Sequence, residues 1–178
     1  MSHSKWAKTE YKKAASDAKK SKMFTKVVKL IIMEAKKSSG NREAPGLKSA
    51  IQKARDVDMP NDNIDRAIKK ATESKDQLEN ISYEAYGPAG VGVIIEALTD
   101  NRNKAAQEIK HILSKHDGVL GAIGSVSWNF TKTIDEHGIH WTPNMTTPIE
   151  GSDEQKLEAL LEELEDCDEV QTVFTNAA

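Results

Sequence analysis

The hydrophobic period of this chain changes once, near residue 76, and that change limits the folds open to it. Before it, apolar residues recur every three or four positions. Phe24, Val27, Val28, Ile31, Ile32 and Ala35 mark one helix face, Leu47, Ala50, Ile51 and Ala54 a second, and Ile64, Ala67, Ile68 and Ala71 a third. A smaller stripe of Ala7, Tyr11, Ala14, Ala15 and Ala18 predicts a further helix ahead of them. Ser38 to Gly46 is a loop by its turn residues, and Pro60, with Asp62 close behind, suits the first turn of the helix that follows. Helices this short are not stable alone, so they are expected to pack as a small bundle.

After residue 76 the period shortens to that of strands. Ile81 to Tyr86 and Val91 to Leu98 are β-branched and aromatic runs around Gly87-Pro-Ala-Gly90, the pattern of a hairpin. Asn101 is placed to cap a helix running to about His116, buried through Ala105, Ile109, Ile112 and Leu113 and ended by Gly118 and Gly121. Val126 to Thr131 alternates as a strand, with Val126, Trp128 and Phe130 on one core face. Asp135 to Ile149 is poorly patterned, though Ile139 to Trp141 and Met145 to Ile149 offer a strand interrupted by Pro143. Leu157, Leu160, Leu161 and Leu164 then define an acidic helix before a last strand, Val170 to Phe174. The expected class is α+β: a helical domain over residues 1–75 and a ferredoxin-like α/β sandwich with an added hairpin strand over residues 76–178.

Charge divides at the same place. Residues 1–75 hold 19 Lys and Arg against 9 Asp and Glu, whereas residues 76–178 hold 6 against 19, so a net charge of -3 conceals balances of +10 and -13. Eleven lysines lie between residues 1 and 37. Lys8, Lys12 and Lys19 share one side of the first predicted helix, flanked by Lys13 and Lys20, and Lys22, Lys26, Lys29 and Lys36 follow at helical spacing on the next. Ladders of this kind meet phosphates by releasing counterions, with little preference for sequence. Trp6 and Tyr11 are candidates for stacking on a base, and Trp6 equally for anchoring the first helix.

Other chemistries find little support in the residues. The single cysteine, Cys167, excludes an internal disulfide and lies among Asp166, Asp168 and Glu169, which oppose thiolate formation. The five histidines are scattered without metal-ligand spacing, so no metal or cofactor is expected. Gly87 to Gly92 lacks the Lys-Ser/Thr and the helix of a phosphate loop. No apolar run approaches the roughly 20 residues of a membrane span. With no signal-peptide core at the start, a cytoplasmic location is the expectation, and a monomer is the simplest assembly.

Several separated stretches carry a family resemblance: His3-Ser-Lys-Trp6, Lys13-Ala-Ala-Ser-Asp-Ala-Lys19, Asp58-Met-Pro-Asn-Asp-Asn-Ile-Asp-Arg-Ala-Ile-Lys-Lys70, Tyr83-Glu-Ala-Tyr-Gly-Pro88, Thr99-Asp-Asn-Arg-Asn103 and Gly124-Ser-Val-Ser-Trp-Asn-Phe130. On these the chain resembles the YebC/PmpR family, whose mitochondrial relatives include the translational activator of cytochrome oxidase. The resemblance implies a helical first domain, α/β domains behind it and no enzyme activity. It also implies a role either in DNA-binding transcriptional regulation or in assisting translation at the ribosome. Full-length members place another α/β domain between the strand ending near Phe130 and the closing helix and strand; here only the link from Asp135 to Ile149 remains. The candidate nucleic-acid-binding residues are therefore Lys5, Trp6, Lys8, Lys12, Lys13, Lys19, Lys20, Lys22 and Lys26, with Arg102 and Lys104 at a helix start where side chains and free N–H groups can meet phosphate. DNA is the first partner expected and ribosomal RNA the alternative.

Overall fold

A computed structural model describes residues 17–75 and 77–178. They divide into two compact units. In the first, α1 (Asp17–Lys37), α2 (Pro45–Asp56) and α3 (Asn61–Glu73) form a bundle in which α1 packs against both partners. Its core gathers the apolar stripes: Val27, Ile31, Ile32 and Ala35 from α1, Leu47 and Ile51 from α2, Ile64 and Ile68 from α3, with Met59 between the last two helices. The turns are tight. Ser39 and Gly40 both adopt left-handed backbone as Gly40 N–H returns to Ala35 O at 2.8 Å, closing α1, and Asp58 does the same as Met59 N–H returns to Ala54 O at 2.9 Å. Spacing alone divides Lys19 and Lys20 from Lys22 onward between two helices. All lie on α1, because no residue between them breaks the helix.

The second unit is built on a four-stranded antiparallel sheet in the order β3-β1-β2-β6, from β1 (Glu79–Tyr86), β2 (Gly92–Thr99), β3 (Val119–Leu120) and β6 (Val170–Thr175). Every residue of β2 is buried, since both sheet faces are covered. Val93, Ile95 and Ala97 face α4 (Arg102–Lys115) and α5 (Gly151–Asp166), the two helices of the sandwich. Ile94 faces the other way, onto Val126 and Phe130, with Tyr86, Trp141 and Phe174 packed around them. The β1–β2 hairpin turns through Pro88–Gly90, where Ala89 and Gly90 both have positive φ. Asn101 caps α4 as its spacing implied, accepting from Lys104 N–H at 3.1 Å. The helix ends on left-handed Asp117, with Gly118 N–H bonded to Leu113 O at 2.8 Å. Gly118 and Gly121 therefore lie past the stop.

Two expectations in this region need correction. Val126 to Thr131 is not a continuous strand: Ser127–Asn129 forms a 3₁₀ turn, and β4 spans Phe130–Asp135. The turn rotates Trp128 out of the core, leaving it 65% exposed while Val126 and Phe130 stay buried. Within the link, the strand expected at Ile139 to Trp141 is present as β5 (Gly138–Pro143), paired with β4 in a two-stranded ribbon. Asn129 holds the chain as it leaves the ribbon, its side chain donating to Met145 O at 2.8 Å and accepting from Met145 N–H at 3.0 Å. That replaces the strand expected over Met145 to Ile149.

Candidate nucleic-acid interface

Helical geometry fixes where the lysines of α1 can point. At roughly 100° per residue, Lys19, Lys22, Lys26, Lys29 and Lys36 share one side of the helix, nearly opposite the side that buries Val27, Ile31, Ile32 and Ala35. The core stripe thus fixes which face of α1 carries the ladder. Lys20 lies roughly 100° from Lys19, away from this ladder, although its side chain is exposed. Lys5, Trp6, Lys8, Lys12 and Lys13 lie outside the described residues.

A second set of cations comes from α3, where Arg66, Lys69 and Lys70 are exposed. Asn63, Arg66 and Lys70 recur at three- and four-residue spacing on one flank, a signal of the kind used for α1 but passed over in favour of the lysine-dense start of the chain. Arg66 donates to Asn63 Oδ1 at 3.0 Å and to Asp62 O at 3.3 Å, which fixes its guanidinium along the helix.

Arg102 and Lys104 stand at the start of α4. Arg102 Nε donates to Glu79 Oε2 at 2.5 Å, and Lys104 Nζ lies 3.4 Å from Glu169 Oε1, a carboxylate almost wholly buried. Hydrogen bonding to Glu79 raises the Arg102 pKa, and the charge of Glu169 raises that of Lys104. Both cations are thereby held by carboxylates at the start of α4, in a setting less favourable to an anion than the free helix end considered from sequence.

Elsewhere polar groups serve architecture. The Glu84 carboxylate accepts from the backbone N–H groups of Gly124, Val126 and Ser127 at 2.6, 3.0 and 2.6 Å. Glu96, buried on β2, accepts from Ser82 Oγ at 2.5 Å and Trp141 Nε1 at 2.7 Å. Burial raises the Cys167 pKa, and its thiol donates to Glu108 at 3.4 Å, in keeping with an unreactive cysteine. Among the described residues no group of three or more His, Cys, Asp or Glu side chains is placed to hold a metal, and no helix is long and apolar enough to cross a membrane.

Two family models match this architecture. Residues 4–74 match the TACO1/YebC protein N-terminal domain, and residues 78–134 and 131–177 match the TACO1/YebC second and third domain. The chain belongs to the TACO1/YebC family. Curated relatives carry the name probable transcriptional regulatory protein. One from Pseudothermotoga lettingae is 35% identical over 233 positions, covering 98% of this chain and 92% of the relative, and one from Petrotoga mobilis is 42% identical over 170, covering 94% and 65%. The crystal structure of a conserved hypothetical protein, Aq1575 from Aquifex aeolicus, superposes with a TM-score of 0.87 at 31% identity, covering 98% of this chain and 97% of that one. The Pseudothermotoga alignment is 55 positions longer than the 178 residues of this chain, so at least that many positions of the relative face a gap. The two segments matched to the second and third domain meet at residues 131–134, within β4 of the ribbon.

Proposed function

We propose that this TACO1/YebC protein is a non-catalytic regulator that binds nucleic acid, DNA in the first instance, through the lysine ladder of α1. The observation that carries this reading is the placement of Lys19, Lys22, Lys26, Lys29 and Lys36 on the side of α1 turned from its core stripe. Lys5, Lys8, Lys12 and Lys13 belong to the same proposed surface. Ammonium groups at helical spacing exchange condensed counterions for phosphates, which is a reason for affinity without a reason for sequence preference. The names of the curated relatives support a regulatory role.

Replacing Lys19, Lys22 and Lys26 together by glutamate should lower affinity for a duplex at least tenfold. It should also reduce the slope of log affinity against log salt by roughly 0.9 for each lost phosphate contact. Unchanged affinity for both duplex DNA and ribosomes would remove the basis of the reading. Lysine meets a backbone charge that both polymers share, so ribosomal RNA is the alternative target of the same ladder. Crosslinking in cells, with recovery of the attached nucleic acid, distinguishes the two.

A further inference from the structure

A groove of about 430 Å³ lies between α1 and α3. Its floor is apolar, made by Phe24, Val28, Ile32 and Met59. Ile32 and Met59 are buried in the bundle core, whereas Phe24 and Val28 are only partly covered, so an aromatic ring and a branched side chain keep apolar surface open to water. Leaving such surface uncovered is unfavourable in proportion to its area, and a flat apolar face laid on it would relieve the cost. Lys29 and Lys70 also line the groove, one from each helix, and none of its lining residues is acidic, although the chain holds 28 Asp and Glu. The volume lies within the roughly 300–1,000 Å³ usual for sites that take a small molecule or a single group.

We propose that this groove receives one unstacked base of a single-stranded nucleic acid, with the Phe24 ring and alkyl floor covering the base and Lys29 and Lys70 meeting the flanking phosphates. The inference rests on the reading of α1 as a phosphate-binding surface, and Lys29 joins the two by belonging both to the ladder and to the groove. Charge complementarity selects the occupant. A nucleotide offers a flat apolar face for the floor and an anion for the cations of the rim in one unit, which an apolar peptide does not. A second groove, lined by Ala35, Lys36, Thr72 and Lys75 among others, has cations without an aromatic or large aliphatic floor, and its chemistry suits phosphate alone. Asn63 faces the base site with its Oδ1 already accepting from Arg66, leaving the amide N–H groups to donate. Recognition by stacking with so few edge contacts is tolerant of base identity.

The test uses the full chain and three fluorescent ligands of equal length: single-stranded oligothymidylate, the same sugar-phosphate chain with every base removed, and a duplex. Base stacking predicts that the base-bearing strand binds at least fivefold more tightly than the abasic one. Phe24→Leu keeps apolar volume for the bundle; it should abolish that preference while leaving duplex affinity within twofold and the circular dichroism spectrum unchanged. Equal affinity of the native chain for the base-bearing and abasic strands overturns the inference. So does photo-crosslinking of 4-thiothymidine strands exclusively to peptides outside α1, α3 and the segment around Met59. Failure of the ladder itself is a separate result, read from unchanged duplex affinity when Lys19, Lys22 and Lys26 are reversed, a set that leaves the groove intact.

Discussion

The carboxylate of Glu84 organises a whole loop through three backbone hydrogen bonds, to Gly124, Val126 and Ser127. Tyr86 Oη and Trp128 Nε1 both donate to Ser125 O, at 3.0 and 2.8 Å, so the same loop is fastened from a second side. Burial raises the Glu84 pKa, but the three amides favour the ionised form and together bring it below the ordinary carboxylate value. A folded-state pKa below the unfolded one stabilises the protein above the unfolded value, near 4.3, and that contribution disappears as pH falls through the folded value. Glu84→Gln keeps the shape and removes the charge. Its stability at pH 7, measured by denaturant unfolding, should fall by about 1–3 kcal/mol, and the gap between variant and native protein should narrow as pH falls below the unfolded value and through the lower folded one. A gap that does not narrow at all on acidification, down to the pH at which the native protein itself unfolds, would show that the carboxylate charge is not what holds the loop. None of this was legible in the sequence, where Glu84 is one acid in a strand and its three amides lie about 40 residues away.

Among the elements, helices were more legible than strands because a helical stripe carries its own partner spacing. The stripes of α1 to α5 correspond closely to the buried side chains of each helix, down to Asn101 as the cap of α4. Val119–Leu120 escaped notice because two residues present no period, and their strand exists only through pairing with Ala85 and Tyr86. Trp128 misled for the opposite reason: alternation placed it beside Val126 and Phe130, and one 3₁₀ turn changed its face. The candidate site divides in the same way. Local helical spacing located the ladder of α1, whereas Arg102 and Lys104 could not be assigned from spacing because Glu79 and Glu169 reach them from other elements. With both cations held in this way, Arg102→Ala should change duplex affinity less than twofold in an anisotropy titration, while Asn101→Ala should lower stability by about 1 kcal/mol through loss of the α4 cap. A tenfold loss of affinity in Arg102→Ala would return the start of α4 to the interface.

At the scale of the molecule, the two halves carry opposite balances, +10 over residues 1–75 and -13 over residues 76–178. A polyanion is therefore attracted by the basic half and repelled by the acidic one. Both act over distance, but salt separates them: the Debye length is about 14 Å at 50 mM and roughly 6 Å at 300 mM, scaled from about 10 Å at 0.1 M. Direct contact between lysine and phosphate survives that change better than repulsion that is not made through contact. α5 is the densest source of such charge, with Glu158, Glu162 and Glu165 on a helix whose leucines face the sheet. Replacing these three by glutamine takes the net charge from -3 to neutral. Duplex affinity should rise two- to fivefold at 50 mM salt and return to the native value at 300 mM, with the association rate carrying most of the change. The ladder variant should instead lose affinity at both salt concentrations, since it removes contacts. A rise that persists at 300 mM would mean that these glutamates compete for the lysines directly, and the acidic half would then be a gate on the basic one.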